Sequence, residues 1–106
     1  MILEVAEIEI RPGDGPAFEA ALARGLETVL RHSPGFISAR VQRGIESPQR
    51  YLLLIEWRAL EDHTVGFRQS ERFAQWRAIV GPFFASQLSS AIRAAAFAAP
   101  SDSTGR

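Results

Sequence analysis

The chain contains no cysteine and no lysine, one methionine, one tyrosine and two histidines. Without cysteine there is no disulfide framework, no thiolate metal site and no cysteine nucleophile. His32 and His63 stand far apart, and neither belongs to a ligand set at metal-binding spacing, so no metal site is expected. Arginine carries all the basic charge, and twelve arginines interleave with twelve acids to a formal net charge of zero. No basic stripe or tail exists, and no nucleic-acid partner is expected. No apolar run approaches the roughly 20 residues of a membrane span. The first residues lead straight into Ile2-Leu3-Glu4-Val5, without a basic region or cleavage site. The expectation is a cytoplasmic protein with no membrane contact.

What is present is one domain's worth of alternating strand and helix signals in 106 residues. Residues 2–10 read as a strand with Ile2, Ala6, Ile8 and Ile10 on one face and Leu3, Val5, Glu7 and Glu9 on the other. Pro12-Gly13-Asp14-Gly15 ends it. A helix is predicted from Pro16 to Arg31, with Asp14 as a candidate cap and Phe18, Leu22, Leu26, Val29 and Leu30 as its apolar stripe. His32-Ser33-Pro34-Gly35 breaks it. A second strand is predicted over Phe36–Glu46, a turn over Ser47–Arg50 and a third strand over Tyr51–Arg58. A second helical region opens at Leu60, with Leu60, Thr64 and Phe67 sharing a face. It breaks near Gln69-Ser70, resumes from a Ser70 cap through Phe73, Trp76 and Val80, and stops at Gly81-Pro82. A last strand is expected from Phe83. Beyond Ala91, the alanine run favours helix by intrinsic propensity, against a terminal strand. The domain is drawn at 1–99 with a flexible tail at 100–106.

The order β-α-β-β-α-β predicts an α+β, ferredoxin-like fold with an antiparallel sheet. Its helices cover one sheet face only. The segment Tyr51-Leu52-Leu53-Leu54-Ile55-Glu56-Trp57 is apolar on both faces, as in strands buried on both sides. Pairing the bare face with that of a second copy shields it, so a homodimer is expected.

Tyr51–Trp57, then Leu60-Glu61-Asp62-His63-Thr64, Gly66-Phe67-Arg68 with Ser70, Phe73 and Trp76, together with Ser33-Pro34-Gly35-Phe36 before the second strand, resemble the antibiotic biosynthesis monooxygenase family over residues 1–90. The resemblance implies a dimeric α+β barrel with a pocket between each sheet and its helices. The best-known members oxidise polycyclic aromatic compounds with O2 and with no metal or flavin. The implied function is a cofactor-independent monooxygenase acting on a small aromatic or carbonyl substrate. The alternative is a non-catalytic, small-ligand-binding or stress-associated dimeric barrel. In anthrone-oxidising members a tryptophan ending strand three corresponds to Trp57, an arginine in the last helix to Arg77 and a tyrosine to His63. Their asparagine falls at Leu53. The asparagine, tryptophan and histidine of haem-degrading members fall at Ala6, Phe67 and Trp76, which argues against haem degradation.

The candidate catalytic residues are therefore His63, Arg77 and Trp57. His63 titrates near neutrality and suits a general base, although a helix-start histidine also serves structure. Arg77 offers a fixed charge for a substrate oxyanion, or simply a solvated helix face. Trp57 and Trp76 suit an aromatic slot as well as a core. Tyr51, Phe67, Phe73 and Trp76 are the candidate substrate-binding residues for a small apolar or aromatic molecule. Glu7 alternates onto the barrel-facing side of the first strand, either as a buried acid or as the partner of an arginine at the dimer interface.

Overall fold

The structure is a computed structural model, and it describes residues 1–97. The tail placed at 100–106, and with it the domain boundary at 99, lies outside the described residues. Four strands, β1 (Ile2–Ile10), β2 (Phe36–Arg43), β3 (Arg50–Trp57) and β4 (Phe84–Ala94), form one antiparallel sheet in the order β2-β3-β1-β4. Two helices, α1 (Gly15–Thr28) and α2 (Glu71–Val80), cover one face. This is the ferredoxin-like α+β arrangement expected from the element order. Among the described residues, no helix is long and apolar enough to cross a membrane.

Several element ends differ from expectation, each for a local reason. The α-helix ends at Thr28, before the predicted Arg31, where the Thr28 hydroxyl donates to the Arg24 carbonyl at 2.7 Å. Such back-bonding weakens a helix end. A tight turn, Leu30–His32, follows, and Pro34 holds Ser33 extended at φ −73, ψ 133. Asp14 occupies the cap position without capping: its carboxylate pairs with Arg11 at 3.3 Å. Ser70 likewise leads α2 but donates back to the Phe67 carbonyl at 2.7 Å. β2 stops at Arg43 instead of Glu46 because the Gly44 N–H bonds to the Arg50 carbonyl at 2.8 Å and the chain turns.

The second helical region departs most. Over Asp62–Phe67 the chain makes one wide turn, in which the Arg68 N–H donates five residues back to the His63 carbonyl at 3.0 Å. This widening rotates the side chains. His63 and Phe67 become buried, while Leu60 and Thr64, expected to share Phe67's face, point to solvent. Beyond Ala91 the chain continues as strand to Ala94 and not as helix, while Ala95 and Ala96 have no regular structure. Ala91 pairs with Val5 and Ala94 with Ile2, because β1 would otherwise leave a row of backbone donors and acceptors unpaired.

The core lies between sheet and helices. Ala6, Ile8 and Ile10 from β1, and Tyr51, Leu53, Ile55 and Trp57 from β3, pack against Phe18 and Leu22 of α1 and Trp76 and Val80 of α2. Two glycines permit the close approaches. A Cβ at Gly25 would lie 2.8 Å from the Trp76 ring, so α1 and α2 touch there only because glycine has no side chain. Gly35 has φ +83, and a Cβ on it would lie 2.2 Å from Cγ of Asp62, so both backbone and space require glycine. The opposite sheet face carries Leu3, Val5, Leu52 and Leu54, all half-buried, with no layer of the described residues over them.

Candidate functional site

A cavity of about 200 Å³ opens between the sheet and α2. Ala6 and Ile8 of β1 and Leu53 and Ile55 of β3 form its floor, and Phe67, Phe73, Trp76 and Phe84 form its walls. Its polar groups are Glu4, Arg68, Arg77 and Ser90. The aromatic wall is braced from behind by a run of edge-on and tilted contacts: Phe36 to Trp57 at 6.0 Å, Trp57 to Phe67 at 5.5 Å, and Phe67 to Phe73 at 5.6 Å between ring centroids. Contacts of this kind hold rings in fixed orientations.

Behind the cavity sits a buried polar cluster. Glu4 Oε1 accepts a hydrogen bond from Trp57 Nε1 at 3.0 Å, and His63 Nδ1 lies 3.2 Å from the same oxygen. The histidine contact is off-line for a hydrogen bond, and Nδ1 has no other partner among the described residues. The imidazole also stands 5.7 Å from the Trp57 ring. Glu4 therefore joins the cavity to two of the residues nominated from sequence.

Burial pushes the His63 pKa below its ordinary value of 6.5; the Glu4 carboxylate pulls it back up and the Arg68 guanidinium adds to the lowering. The neutral imidazole is the favoured form, which has a consequence for stability. Because the folded pKa lies below the unfolded one, the unfolded chain binds the extra proton first, and acid pulls the equilibrium toward it. The stabilisation is complete above the unfolded value of 6.5 and is lost as the pH falls toward the lowered folded value. Urea unfolding from about pH 7.5 down to pH 5.5 should show a falling midpoint, and His63→Gln should flatten that fall. An equal slope in wild type and variant would take His63 out of this linkage.

Of the residues nominated from sequence, Phe67, Phe73, Trp76 and Arg77 line this cavity. Trp57 and His63, nominated as catalytic, lie one layer behind it, nearly solvent-free at 0% and 3% exposure. Tyr51 belongs elsewhere. It begins β3 where Trp57 ends it, roughly 20 Å away along an extended strand. Its hydroxyl donates to Glu19 Oε2 of α1 at 2.6 Å, and Arg43 reaches the same oxygen at 3.0 Å. Burial, and then the Glu19 carboxylate, raise the Tyr51 pKa. A separate cleft of about 320 Å³ between α1 and β2 is lined by Tyr51, Glu19, Arg43 and the apolar Leu22, Leu26 and Val41. Glu7 lies on the bare sheet face, opposite Leu52.

Three polar residues of the cavity, Glu4, Arg68 and Ser90, were not nominated from sequence. Glu4 falls on the same strand face as Ile2, Ala6, Ile8 and Ile10 by simple alternation. An acid at an inward position of an otherwise apolar face was the signal available. Arg68 carried no signal, because only the wide turn brings it to the cavity. Among the described residues, no three His, Asp or Glu side chains are grouped to hold a metal ion.

The sequence pattern of the antibiotic biosynthesis monooxygenase family matches residues 1–79. YczJ, an uncharacterised protein of Bacillus subtilis (strain 168), is 36% identical over 84 residues, covering 79% of this chain and 87% of YczJ. The crystal structure of a candidate antibiotic biosynthesis monooxygenase from Bordetella bronchiseptica superposes with a TM-score of 0.83 at 34% identity, over 91% of this chain and 97% of that one. SnoaB, a cofactor-independent oxygenase from Streptomyces nogalater, superposes with a TM-score of 0.79 at 15% identity, over 93% and 96% of the two chains. At that identity the likeness is one of fold alone.

Proposed function

This chain belongs to the antibiotic biosynthesis monooxygenase family, and from that premise we propose that it is a cofactor-independent monooxygenase acting on a small aromatic or carbonyl compound. The observation that carries this reading is the carboxylate of Glu4 in the wall of an aromatic cavity, held by Trp57 and backed by neutral His63. A cavity near 200 Å³ suits a single ring better than a polycycle, since an apolar cavity of about 150 Å³ takes up benzene.

In the proposed reaction Glu4 takes a proton from an activated C–H of the substrate. The carbanion donates its electron pair to O2, forming a C–O bond and a peroxide. The peroxide recovers a proton, and loss of water leaves a carbonyl where a methylene stood. Atoms and electrons balance with the substrate as the only reductant: R2CH2 and O2 give R2CO and water. Arg77, which lines the same cavity, offers fixed positive charge to an anionic substrate. The apolar floor and walls limit water around the carbanion. His63 packs beside Glu4, 3.2 Å from Oε1, instead of touching the substrate.

The family's two-fold assembly is part of the proposal. Leu3, Val5, Leu52 and Leu54 form a contiguous apolar strip on the bare sheet face, with Val5 opposite Leu54. Arg40 and Arg93 border the strip on one side chain set, and Glu7 and Glu56 on another, so a two-fold axis can bring opposite charges together.

The test is O2 uptake in a closed cell with a panel of one-ring phenols and aryl ketones bearing an activated methylene. The expected result is one O2 consumed per carbonyl formed, with no product under argon. Saturable binding across the panel without O2 uptake would favour the non-catalytic ligand-binding dimer.

A further inference from the structure

The proposed site contains more positive charge than proton abstraction requires. Arg68 and Arg77 both line the cavity, and both place their guanidinium groups over the ring of Phe73, at 4.8 and 5.8 Å from its centroid. Neither forms a salt bridge among the described residues, whereas Arg11, Arg31, Arg43 and Arg58 each do. Both are exposed, so they stand at the mouth, while Glu4 is nearly enclosed at the inner end. The Phe73 ring, with its negative faces, is a shared partner for both cations.

We infer that Arg68 and Arg77 form an anion clamp at the cavity mouth, and that the substrate is a single-ring aromatic compound bearing a carboxylate. This rests on the cavity being the substrate site proposed above. A planar guanidinium fork matches a carboxylate bidentately, as a lysine does not, and a second arginine adds charge and further donors. The ring then lies between Phe67, Phe73 and Trp76, and the end of the molecule away from the carboxylate meets Glu4. The charge pattern also orients the ligand. Entry with the carboxylate inward would set it against Glu4, so the clamp selects the orientation that presents the acidic C–H or O–H to the base.

The experiment measures binding, independent of turnover, by calorimetry and by quenching of Trp76 fluorescence. The probes are benzoate and its neutral isostere benzamide, with wild type, Arg68→Gln, Arg77→Gln and the double variant. Benzoate should bind wild type about tenfold more tightly than benzamide at low salt, and added salt should shrink that ratio. Each single variant should lose much of the preference, and the double variant all of it, with benzamide binding unchanged. Equal affinity for the two probes in wild type, or a preference surviving in the double variant, would overturn the clamp. Because both side chains are exposed, the variants should fold as wild type does, which thermal unfolding checks. The two proposals fail separately. Carboxylate preference without O2 uptake on any carboxylated substrate leaves the clamp and removes the oxygenase. Turnover of neutral substrates without charge preference leaves the oxygenase and removes the clamp.

Discussion

Glu4→Gln is expected to lower kcat/KM for a true substrate by about 10²–10⁴-fold, the usual contribution of a positioned general base. The substitution is nearly isosteric. A glutamine Oε1 can still accept from Trp57 Nε1, now at 3.0 Å, so the buried indole keeps its partner. Folding stability should therefore change by no more than about 1 kcal/mol, and a stability measurement separates loss of chemistry from loss of structure. The same assay on His63→Ala should show a smaller loss, on the order of tenfold, because the imidazole acts through the carboxylate and not on the substrate. The reverse order, with His63→Ala nearly inactive and Glu4→Gln nearly normal, would return the role of base to the histidine.

Leu54→Arg is expected to convert a dimer into a monomer. Leu54 stands in the middle of the bare face, on the central strand pair, opposite Val5 and flanked on β2 by Arg40. In a two-fold assembly each substitution counts twice, and an arginine there would put unpaired charge from both copies at the centre of the interface. The cost should amount to several kcal/mol, or a rise in dissociation constant of about a thousandfold or more. Light scattering should give a mass near twice the 11.7 kDa chain for wild type and close to the single chain for the variant. The helix-facing core does not include Leu54, so the monomer should remain folded at first, with greater tendency to aggregate. A wild-type protein already monomeric at micromolar concentration would remove the interface.

The sheet was legible because strands announce themselves by alternation. β1 and β3 appear in the sequence within a residue of their observed ends, and the two apolar faces of β3 pointed to a bare surface that the structure displays as half-buried leucines. The site was less legible, for the same reason. Reading a strand for its apolar face passes over an acid on that face, and Glu4 has meaning only once Trp57 and His63 are seen to converge on its oxygen. The wide turn at Asp62–Phe67 obscured more. Ordinary helical spacing sets Leu60, Thr64 and Phe67 in a row, and a single hydrogen bond reaching five residues back undoes that row. Trp57 and Tyr51 illustrate a third limit. Both project to the same side of β3, which sequence shows, but opposite ends of one strand cannot serve one small cavity.

The pairing of β1 with β4 joins Ile2 to Ala94, nearly the whole length of the described chain. During synthesis, β1, α1, β2 and β3 all emerge while one edge of β1 still lacks its neighbour. Loop closure over such a distance is slow, and it delays the contacts that complete the sheet. Until then the nascent chain carries an open strand edge beside an apolar face, the combination that invites wrong pairing between molecules. Of the eleven residues of β4 only Phe84, Leu88 and Ile92 are large and apolar; the rest are alanine, serine, glutamine and arginine. A strand so composed, waiting longest for its partner, is a poorer seed for aggregation than β1 or β3 would be in its place.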